Sequence, residues 1–206
     1  MRQTTKPVQS PRYLTGFRTT SFVALGANQP SGEVDVREVL RKAISEFNSG
    51  VFEFGVIRGV SRMYQTPAFP PGSGPDFVNA AVAVDTDLDA RDVLRRLHGI
   101  EASFGRERAE RWGPRTLDLD LIALGDQVLP DAQTHLAWRE LSLADQQSRA
   151  PDQLILPHPR MHERAFVLIP LADIAPDWVH PLLGPTVAEM VTELPDKARE
   201  EVVALE

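Results

Sequence analysis

The sequence predicts an α+β fold, in which helices pack on an antiparallel β-sheet. Stretches with the apolar or alternating pattern of strands are interleaved with stretches that repeat apolar residues at the three- and four-residue spacing of an amphipathic helix. No internal repeat is visible. The 206 residues are enough for one substantial core and too few for two domains of ordinary size.

The first half of the predicted sheet follows an expected flexible leader at residues 1–19. The apolar run SFVALG (21–26) indicates a buried strand that ends in a turn. Between residues 33 and 48 the apolar side chains recur on one helical face. A strand region around 54–65 then leads into TPAFPPGSGP (66–75), whose four prolines and two glycines predict an irregular, mobile loop.

The second half of the predicted sheet repeats the strand and helix pattern. FVNAAVAVDT (77–86) alternates as a strand does, and Asp89 is expected to cap the helix that follows. TLDLDLIAL (116–124) is the next strand, and Gly125-Asp126 predicts a turn that brings QVL back as a hairpin. The resulting β-α-β-β-α-β order is that of a ferredoxin-like antiparallel sheet.

The C-terminal part adds elements to this sheet. Residues 130–153 are polar and without a clear period, which predicts an inserted surface loop that can hold a short helical piece. LILPHP (154–159) resumes extended structure, and residues 160–173 have a helical pattern interrupted by Pro170. The stretch 187–198 predicts a terminal helix.

Composition limits the classes of function. With 42% hydrophobic and 25% charged residues the chain has the composition of a soluble globular protein, and no apolar run reaches the about 18 residues of a membrane span. The net charge of −7 argues against a nucleic-acid partner, and the lack of cysteine excludes disulfides and thiolate metal sites. Because the N-terminus also lacks the apolar core of a secretory signal, we expect a cytoplasmic protein. We also expect it to be a monomer that acts on small molecules. It is expected to fold as one domain, residues 20–206, with an extra C-terminal hairpin and helices.

Two aspartates stand on alternate positions of the strand TLDLDLIAL. Since side chains alternate between the faces of a strand, the leucines are expected to enter the core while Asp118 and Asp120 project together. Carboxylates at this spacing lie roughly 6–7 Å apart, which suits one Mg²⁺ or a pair of ions. The alternative is the wet face of an ordinary amphipathic strand, and the motif alone does not decide between them.

Arginines accompany the two aspartates. Four of them fall within ten residues and two more form a second group: Arg106, Arg108, Arg111 and Arg115, then Arg160 and Arg164. A carboxylate-bound Mg²⁺ with guanidinium groups nearby is what phosphoryl transfer requires. Gly105 and Gly113 flank the first group, so this segment could close as a lid. Neither a P-loop nor a kinase glycine loop is present in the sequence.

RWGPRTLDLDLI (111–122) resembles the signature of the 6-hydroxymethyl-7,8-dihydropterin pyrophosphokinase (HPPK) family. The resemblance extends from about Ser21 to Asp177. It includes FVALGAN (22–28), YQTPAF (64–69), DFVNAAV (76–82), IEASFGRER (100–108) and LPHPRMHERAFVLIPLADIAP (156–176).

This resemblance implies a particular reaction. The hydroxymethyl oxygen of the dihydropterin would attack the β-phosphorus of ATP, the pyrophosphoryl group would move intact and AMP would leave. The chain would then be a 2-amino-4-hydroxy-6-hydroxymethyldihydropteridine diphosphokinase of folate biosynthesis, with two Mg²⁺ ions and ATP as co-substrate.

The resemblance also implies roles for individual residues. Asp118 and Asp120 match the metal ligands, and the expected catalytic residues are these two with Arg106, Arg108 and Arg115. The pterin is expected to contact Thr66, Pro67, Phe77, Asn79, Trp112 and Phe166. The nucleotide is expected to contact Arg106, Arg115, His158 and Arg164.

Some of these residues have simpler explanations. Without the resemblance, Asn79 would be a satisfied buried amide, and Phe77 and Phe166 would be core residues. Glu101 borders the apolar face of its helix, where contact with the active site and plain solvation explain it equally well. Pro159 stands where some family members carry an aromatic residue near the nucleotide, which leaves the adenosine contacts open.

Two other functions stay open. One is a different Mg²⁺-dependent nucleotidyl or phosphoryl transferase that uses the Asp-x-Asp pair. The other is a non-catalytic domain that binds nucleotide or pterin as a sensor, although such a domain could lose the metal ligands that this chain retains. A zinc site at His158, His162 and Glu163 is disfavoured, because Pro159 separates the histidines and no third ligand has matching spacing.

Overall fold

The computed structural model describes residues 18–68, 74–105, 116–142, 145 and 148–206. Its strands are β1 (Thr19–Ala27), β2 (Val56–Val60), β3 (Tyr64–Thr66), β4 (Phe77–Thr86), β5 (Asp118–Leu124) and β6 (Val203–Ala204). Its helices are α1 (Val36–Glu46), α2 (Ala90–Ser103), α3 (Ala132–Arg139), α4 (Ala165–Ile174), α5 (Val187–Glu193) and α6 (Asp196–Glu200), and a 3₁₀ turn at Met161–Glu163 precedes α4.

The six strands form one antiparallel sheet. Its order is β5-β1-β4-β3-β6, and β2 pairs with β4 beside β3. The predicted α+β class with an antiparallel sheet is therefore confirmed. The exact ferredoxin-like topology stays a prediction, because the strand expected at 54–65 is divided into β2 and β3, and β6 extends the sheet.

The two helices that cross the sheet begin at capping aspartates. Asp35 accepts hydrogen bonds from the backbone N–H groups of Arg37 and Glu38 at the start of α1. Asp89 accepts one of 2.8 Å from the N–H of Asp92 at the start of α2, as predicted. These carboxylates satisfy N–H groups that the first helical turn leaves without a partner.

Two apolar clusters cover the two faces of the sheet. The first lies under α1 and α2 and includes Val23, Leu25, Val82, Leu119 and Leu121. The second lies under α4 and α5 and includes Phe22, Ala83, Ile122, Leu168 and Met190. Successive strand residues alternate between the clusters, as a pleated strand requires.

The predicted hairpin after Gly125 is wrong. Leu129 pairs with Leu156 through backbone hydrogen bonds of 2.9 and 3.1 Å, and QVL does not return along β5. The physical reason is that another segment occupies that edge, because the N–H of His158 donates a 2.7 Å hydrogen bond to the carbonyl of Ile122 in β5. The chain beyond Gly125 therefore leaves the sheet.

Other predicted boundaries also change. β1 begins at Thr19, inside the leader expected at 1–19, because its register with β4 starts at the Thr19–Thr86 pair. Residues 1–17, and residues 69–73 of the predicted mobile loop, lie outside the described residues.

Two prolines behave differently from each other. α4 continues through Pro170, which is buried, so the predicted interruption is wrong. The predicted terminal helix is divided into α5 and α6 at Pro195, where the preceding Leu194 is extended (ψ 144°) as residues before proline tend to be.

The predicted insertion at 130–153 contains α3, which Asp131 caps by accepting a hydrogen bond from the N–H of Thr134. Among the described residues, no helix has the length and apolar character to cross a bilayer.

Candidate active site

The two aspartates of β5 lie on one face of the sheet. Leu119 and Leu121 are 3% and 4% exposed in the first cluster, and Asp118 and Asp120 point to the other face, where both are half-buried. The second cluster covers this face only in part, starting at Ile122 two residues beyond Asp120. The carboxylates therefore lie where the covered part of the face ends.

A row of paired residues connects Asp118 to the predicted pterin residues. Asp118 pairs with Gly26 of β1, Gly26 with Asn79 of β4, and Asn79 with Tyr64 of β3. Directly opposed residues share a face, so Asp118 and Asn79 lie on the same side, roughly 10 Å apart across two strand spacings.

Gly26 is a buried residue without a side chain between Asp118 and Asn79. A Cβ at this position would come within 3.0 Å of Asn79 Oδ1 and 3.7 Å of Phe77 Cδ1. Because Gly26 has no side chain, the sheet forms a shallow floor between the carboxylate and the amide.

Asn79 and Thr66 form a fixed polar pair on this floor. The Nδ2 of Asn79 donates a 2.8 Å hydrogen bond to Thr66 Oγ1, and both residues are buried. This bond sets the orientation of the amide and turns its oxygen toward the Gly26 side. The neighbouring Pro67 is exposed.

Neither of the two aromatic residues predicted at the pterin is fully buried. Phe77 is half-buried at the start of β4, and Phe166 at the start of α4 is 36% exposed. The guanidinium of Arg164 lies 5.8 Å from the centre of the Phe166 ring. Both rings therefore present accessible apolar surface, which a residue used only for the core would not.

His158 and Arg164 converge at the predicted nucleotide side. The Nδ1 of His158 accepts a 3.1 Å hydrogen bond from the N–H of Arg160, so in the neutral imidazole the proton is on Nε2. Burial and the positive charge of Arg164 lower the pKa of His158 well below its usual value, which keeps the ring neutral. Nε2 lies 3.4 Å from Nη1 of Arg164.

Two donors at that distance suit an anionic oxygen that accepts from both. The backbone of His158 lies beside the strand that carries the aspartates, because its N–H donates to the carbonyl of Ile122, two residues beyond Asp120.

The donor set of the aspartates fits Mg²⁺. In the described part of the chain no three histidine, cysteine, aspartate or glutamate residues are grouped as a metal site. Mg²⁺ is commonly held by one or two carboxylates, with waters and substrate phosphates completing its octahedron. Asp118 and Asp120 are the residues here that could hold it.

Several predicted site residues lie outside the described residues. They are Arg106, Arg108, Trp112 and Arg115. The lid between Gly105 and Gly113 falls in the same stretch. Their predicted roles stay predictions.

The structure adds Glu101, for which the sequence left two explanations. Glu101 is 2% exposed, and its Oε1 accepts a 2.8 Å hydrogen bond from the N–H of Leu119, between the two aspartates. Solvation is therefore wrong as the explanation. The available signal was its place four residues after Leu97, on the buried face of α2.

Sequence comparisons match this chain to one family of enzymes. The family model described as 7,8-dihydro-6-hydroxymethylpterin-pyrophosphokinase (HPPK) matches residues 22–176. A 2-amino-4-hydroxy-6-hydroxymethyldihydropteridine pyrophosphokinase of Synechocystis sp. is 36% identical over 156 residues, which are 73% of this chain and 69% of that protein. The enzyme of the same name from Pseudomonas aeruginosa is 38% identical, over 76% of this chain and 80% of the relative. That from Haemophilus influenzae is 31% identical, over 85% and 90%.

Solved structures share the fold. The crystal structure of Plasmodium falciparum HPPK-DHPS with pteroate matches with a TM-score of 0.60 at 14% identity. The match covers 85% of this chain and 43% of that one, so this chain spans less than half of the Plasmodium protein. At this identity the likeness concerns the fold alone.

Proposed function

The chain belongs to the 7,8-dihydro-6-hydroxymethylpterin-pyrophosphokinase family, and from this premise we propose that the face carrying Asp118, Gly26 and Asn79 is its active site. Its activity is pyrophosphoryl transfer to 6-hydroxymethyl-7,8-dihydropterin in folate biosynthesis. ATP is the co-substrate that the family implies, and AMP is then the second product.

The pterin is proposed to lie on the floor over Gly26. Asn79 offers an amide whose orientation Thr66 fixes, and such an amide can recognise the edge of a flat heterocycle through donor and acceptor together. Phe77 and Phe166 would supply apolar surface for its faces, with Pro67 beside them. Trp112, outside the described residues, is proposed to cover the pterin.

The hydroxymethyl end of the pterin would then point along the row toward Asp118. Asp118 and Asp120 are proposed to hold two Mg²⁺ ions, which when bound would neutralise phosphate charge and lower the pKa of the attacking hydroxyl. The roughly 10 Å between the strands of Asn79 and Asp118 is enough for the pterin ring to bind at one end and the phosphates at the other.

The triphosphate is proposed to contact His158 and Arg164. The neutral His158 ring can donate from Nε2 to a phosphate oxygen, and the adjacent guanidinium adds a charge-assisted donor. Arg106 and Arg115 are proposed to join them, with Arg108 at the transferring group. Fixed donors of this kind stabilise charge that develops in the transition state.

One observation carries the proposal. The register places a carboxylate, a glycine and an oriented amide in one row across β5, β1 and β4, on the part of the face that the second cluster leaves uncovered. A strand that served only to pack against the core would not require this combination of residues.

Product analysis tests the function. The protein is incubated with ATP, Mg²⁺ and 6-hydroxymethyl-7,8-dihydropterin, and the nucleotides are separated by chromatography. Formation of AMP with a diphosphorylated pterin is expected. Formation of ADP would indicate a simple kinase, and binding without turnover would indicate a sensor; either outcome contradicts the proposal.

We also propose that the protein acts as a cytoplasmic monomer without a nucleic-acid partner, folded as one domain at 20–206. The net charge of −7 supports the absence of nucleic acid. Sedimentation equilibrium tests the monomer, for which a mass near 22.9 kDa is expected.

A further inference from the structure

The inserted helix α3 buries a polar side chain. All eight residues of α3 are described, and the buried one is His135, which is 1% exposed. The apolar Leu136 beside it is 40% exposed. A helix held only by the hydrophobic effect would bury leucine before histidine, so the contact that His135 makes needs its own explanation.

His135 bonds to the backbone immediately before His158. Its Nε2 lies 3.0 Å from the carbonyl oxygen of Pro157. A carbonyl only accepts, so Nε2 carries the proton and donates the hydrogen bond. The other ring nitrogen, Nδ1, is buried and has no hydrogen-bond partner among the described residues, which makes the bond to Pro157 the one that offsets burial of this imidazole.

The peptide group between Pro157 and His158 is thus held from two sides. Its carbonyl accepts from His135 of α3, and its N–H donates to the carbonyl of Ile122 in β5 at 2.7 Å. A peptide group is planar, so fixing both of its polar ends fixes its orientation. That orientation fixes the backbone N–H and Cα from which the side chain of His158 extends.

We infer that His135 is a positioning residue, which orients His158 for the phosphates of the nucleotide through the carbonyl of Pro157. The inference rests on the proposed function, in which His158 contacts the triphosphate. The inference assigns a role to the insertion at 130–153, since α3 would preorganise the nucleotide side of the active site. The proposed pterin side is formed by β1, β3 and β4. Preorganisation improves binding because less freedom is lost when the ligand arrives.

Three variants test the role of His135. His135→Leu removes the donor while keeping apolar volume, and His135→Gln supplies an amide N–H that can reach the same carbonyl. Leu136→Ala is the matched control on the exposed side of the helix. We expect His135→Leu to raise the KM and Kd for ATP by about fivefold or more, with the pterin KM within about twofold of wild type, and His135→Gln to restore most of the ATP affinity.

A double-mutant cycle tests the route through His158. If His135 acts by orienting that ring, His135→Leu should have little further effect on the Kd for ATP in a His158→Ala background. Should His135→Leu not fold, His135→Asn, whose side chain is too short to reach Pro157, replaces it under the same criterion.

The inference is overturned if the folded variants bind ATP as wild type does, if both substrates lose affinity equally, or if the two substitutions are additive. These outcomes differ from failure of the proposed function, in which the wild-type protein itself forms no AMP.

Discussion

The N–H of Leu119 donates a 2.8 Å hydrogen bond to Oε1 of Glu101, at the one residue that separates Asp118 from Asp120. β5 is the last strand on its side of the sheet, so its outer N–H groups have no neighbouring strand among the described residues. Glu101 supplies the acceptor from α2 and is itself buried. The strand that carries both aspartates is therefore held in place by a carboxylate beneath it.

We expect Glu101→Leu to lower both stability and activity. The N–H of Leu119 would be left buried without its acceptor, which costs about 1–3 kcal/mol in the free energy of unfolding. A loosened strand also misplaces the aspartates, so kcat should fall by at least about tenfold and the Mg²⁺ concentration for half-maximal rate should rise. Urea unfolding and Mg²⁺ titrations of the rate provide the measurements.

Glu101→Gln is the conservative companion, because its amide oxygen can still accept from Leu119. It should recover most of the stability and of the Mg²⁺ dependence. If Glu101→Leu lost stability while its Mg²⁺ dependence stayed that of wild type, Glu101 would support the fold without positioning the aspartates.

Asp118→Ala and Asp120→Ala should each abolish turnover while leaving the fold and pterin binding largely in place. Both side chains are half-buried on the uncovered part of the face, and the buried packing of β5 depends on Leu119 and Leu121. Thermal melts, pterin titrations and AMP formation are compared for each variant.

Asp126→Ala is the control for these two substitutions, because Asp126 is an exposed aspartate in the turn after β5 and lies outside the proposed site. An unfolded Asp118→Ala or Asp120→Ala variant would favour a structural role for the carboxylates over metal binding.

The alternation of leucine and aspartate predicted the strand and the faces of its side chains correctly, because both depend on local periodicity. Local periodicity could not predict features that depend on distant segments of the chain. The hairpin after Gly125 failed because Leu129 pairs with Leu156, and the burial of Glu101 depends on a backbone group eighteen residues away. The role inferred for His135 likewise depends on Pro157, which lies twenty-two residues further along the chain.

Gly26→Ala should weaken pterin binding while sparing nucleotide binding. The added methyl group would lie 3.0 Å from Asn79 Oδ1, closer than normal contact, and would fill part of the proposed floor. We expect the Kd for the pterin to rise by about fivefold or more, roughly 1 kcal/mol, with the Kd for ATP unchanged. Fluorescence titration with each ligand measures the two values.

Gly50→Ala is the matched substitution, since a Cβ there meets no atom within 4 Å. It should leave both Kd values at the wild-type level. Equal pterin affinity in Gly26→Ala and wild type would remove the floor over Gly26 from the pterin site.

The buried residue His180 predicts how stability depends on pH. His180 is 1% exposed, and its Nδ1 accepts 3.2 Å hydrogen bonds from the N–H groups of Leu182 and Leu183. Burial, together with the positive charges of the nearby His135, His162 and Arg139, lowers the pKa of His180 to about 4. In the unfolded chain its pKa returns to about 6.5.

Between these two pKa values the unfolded chain binds a proton that folded His180 does not. The contribution of His180 to the free energy of unfolding is therefore fully present above about pH 6.5. It decreases as the pH falls toward 4, by at most about 1.4 kcal/mol per pH unit.

His180→Asn removes the titration and keeps a side-chain acceptor for the two N–H groups. We expect urea unfolding at pH 7, 6 and 5 to show a shallower loss of stability in the variant than in wild type. Carboxylates that titrate near pH 5 contribute to both proteins, so the difference between the two slopes isolates His180. Identical slopes would mean that His180 takes up its proton in the folded protein as readily as in the unfolded chain.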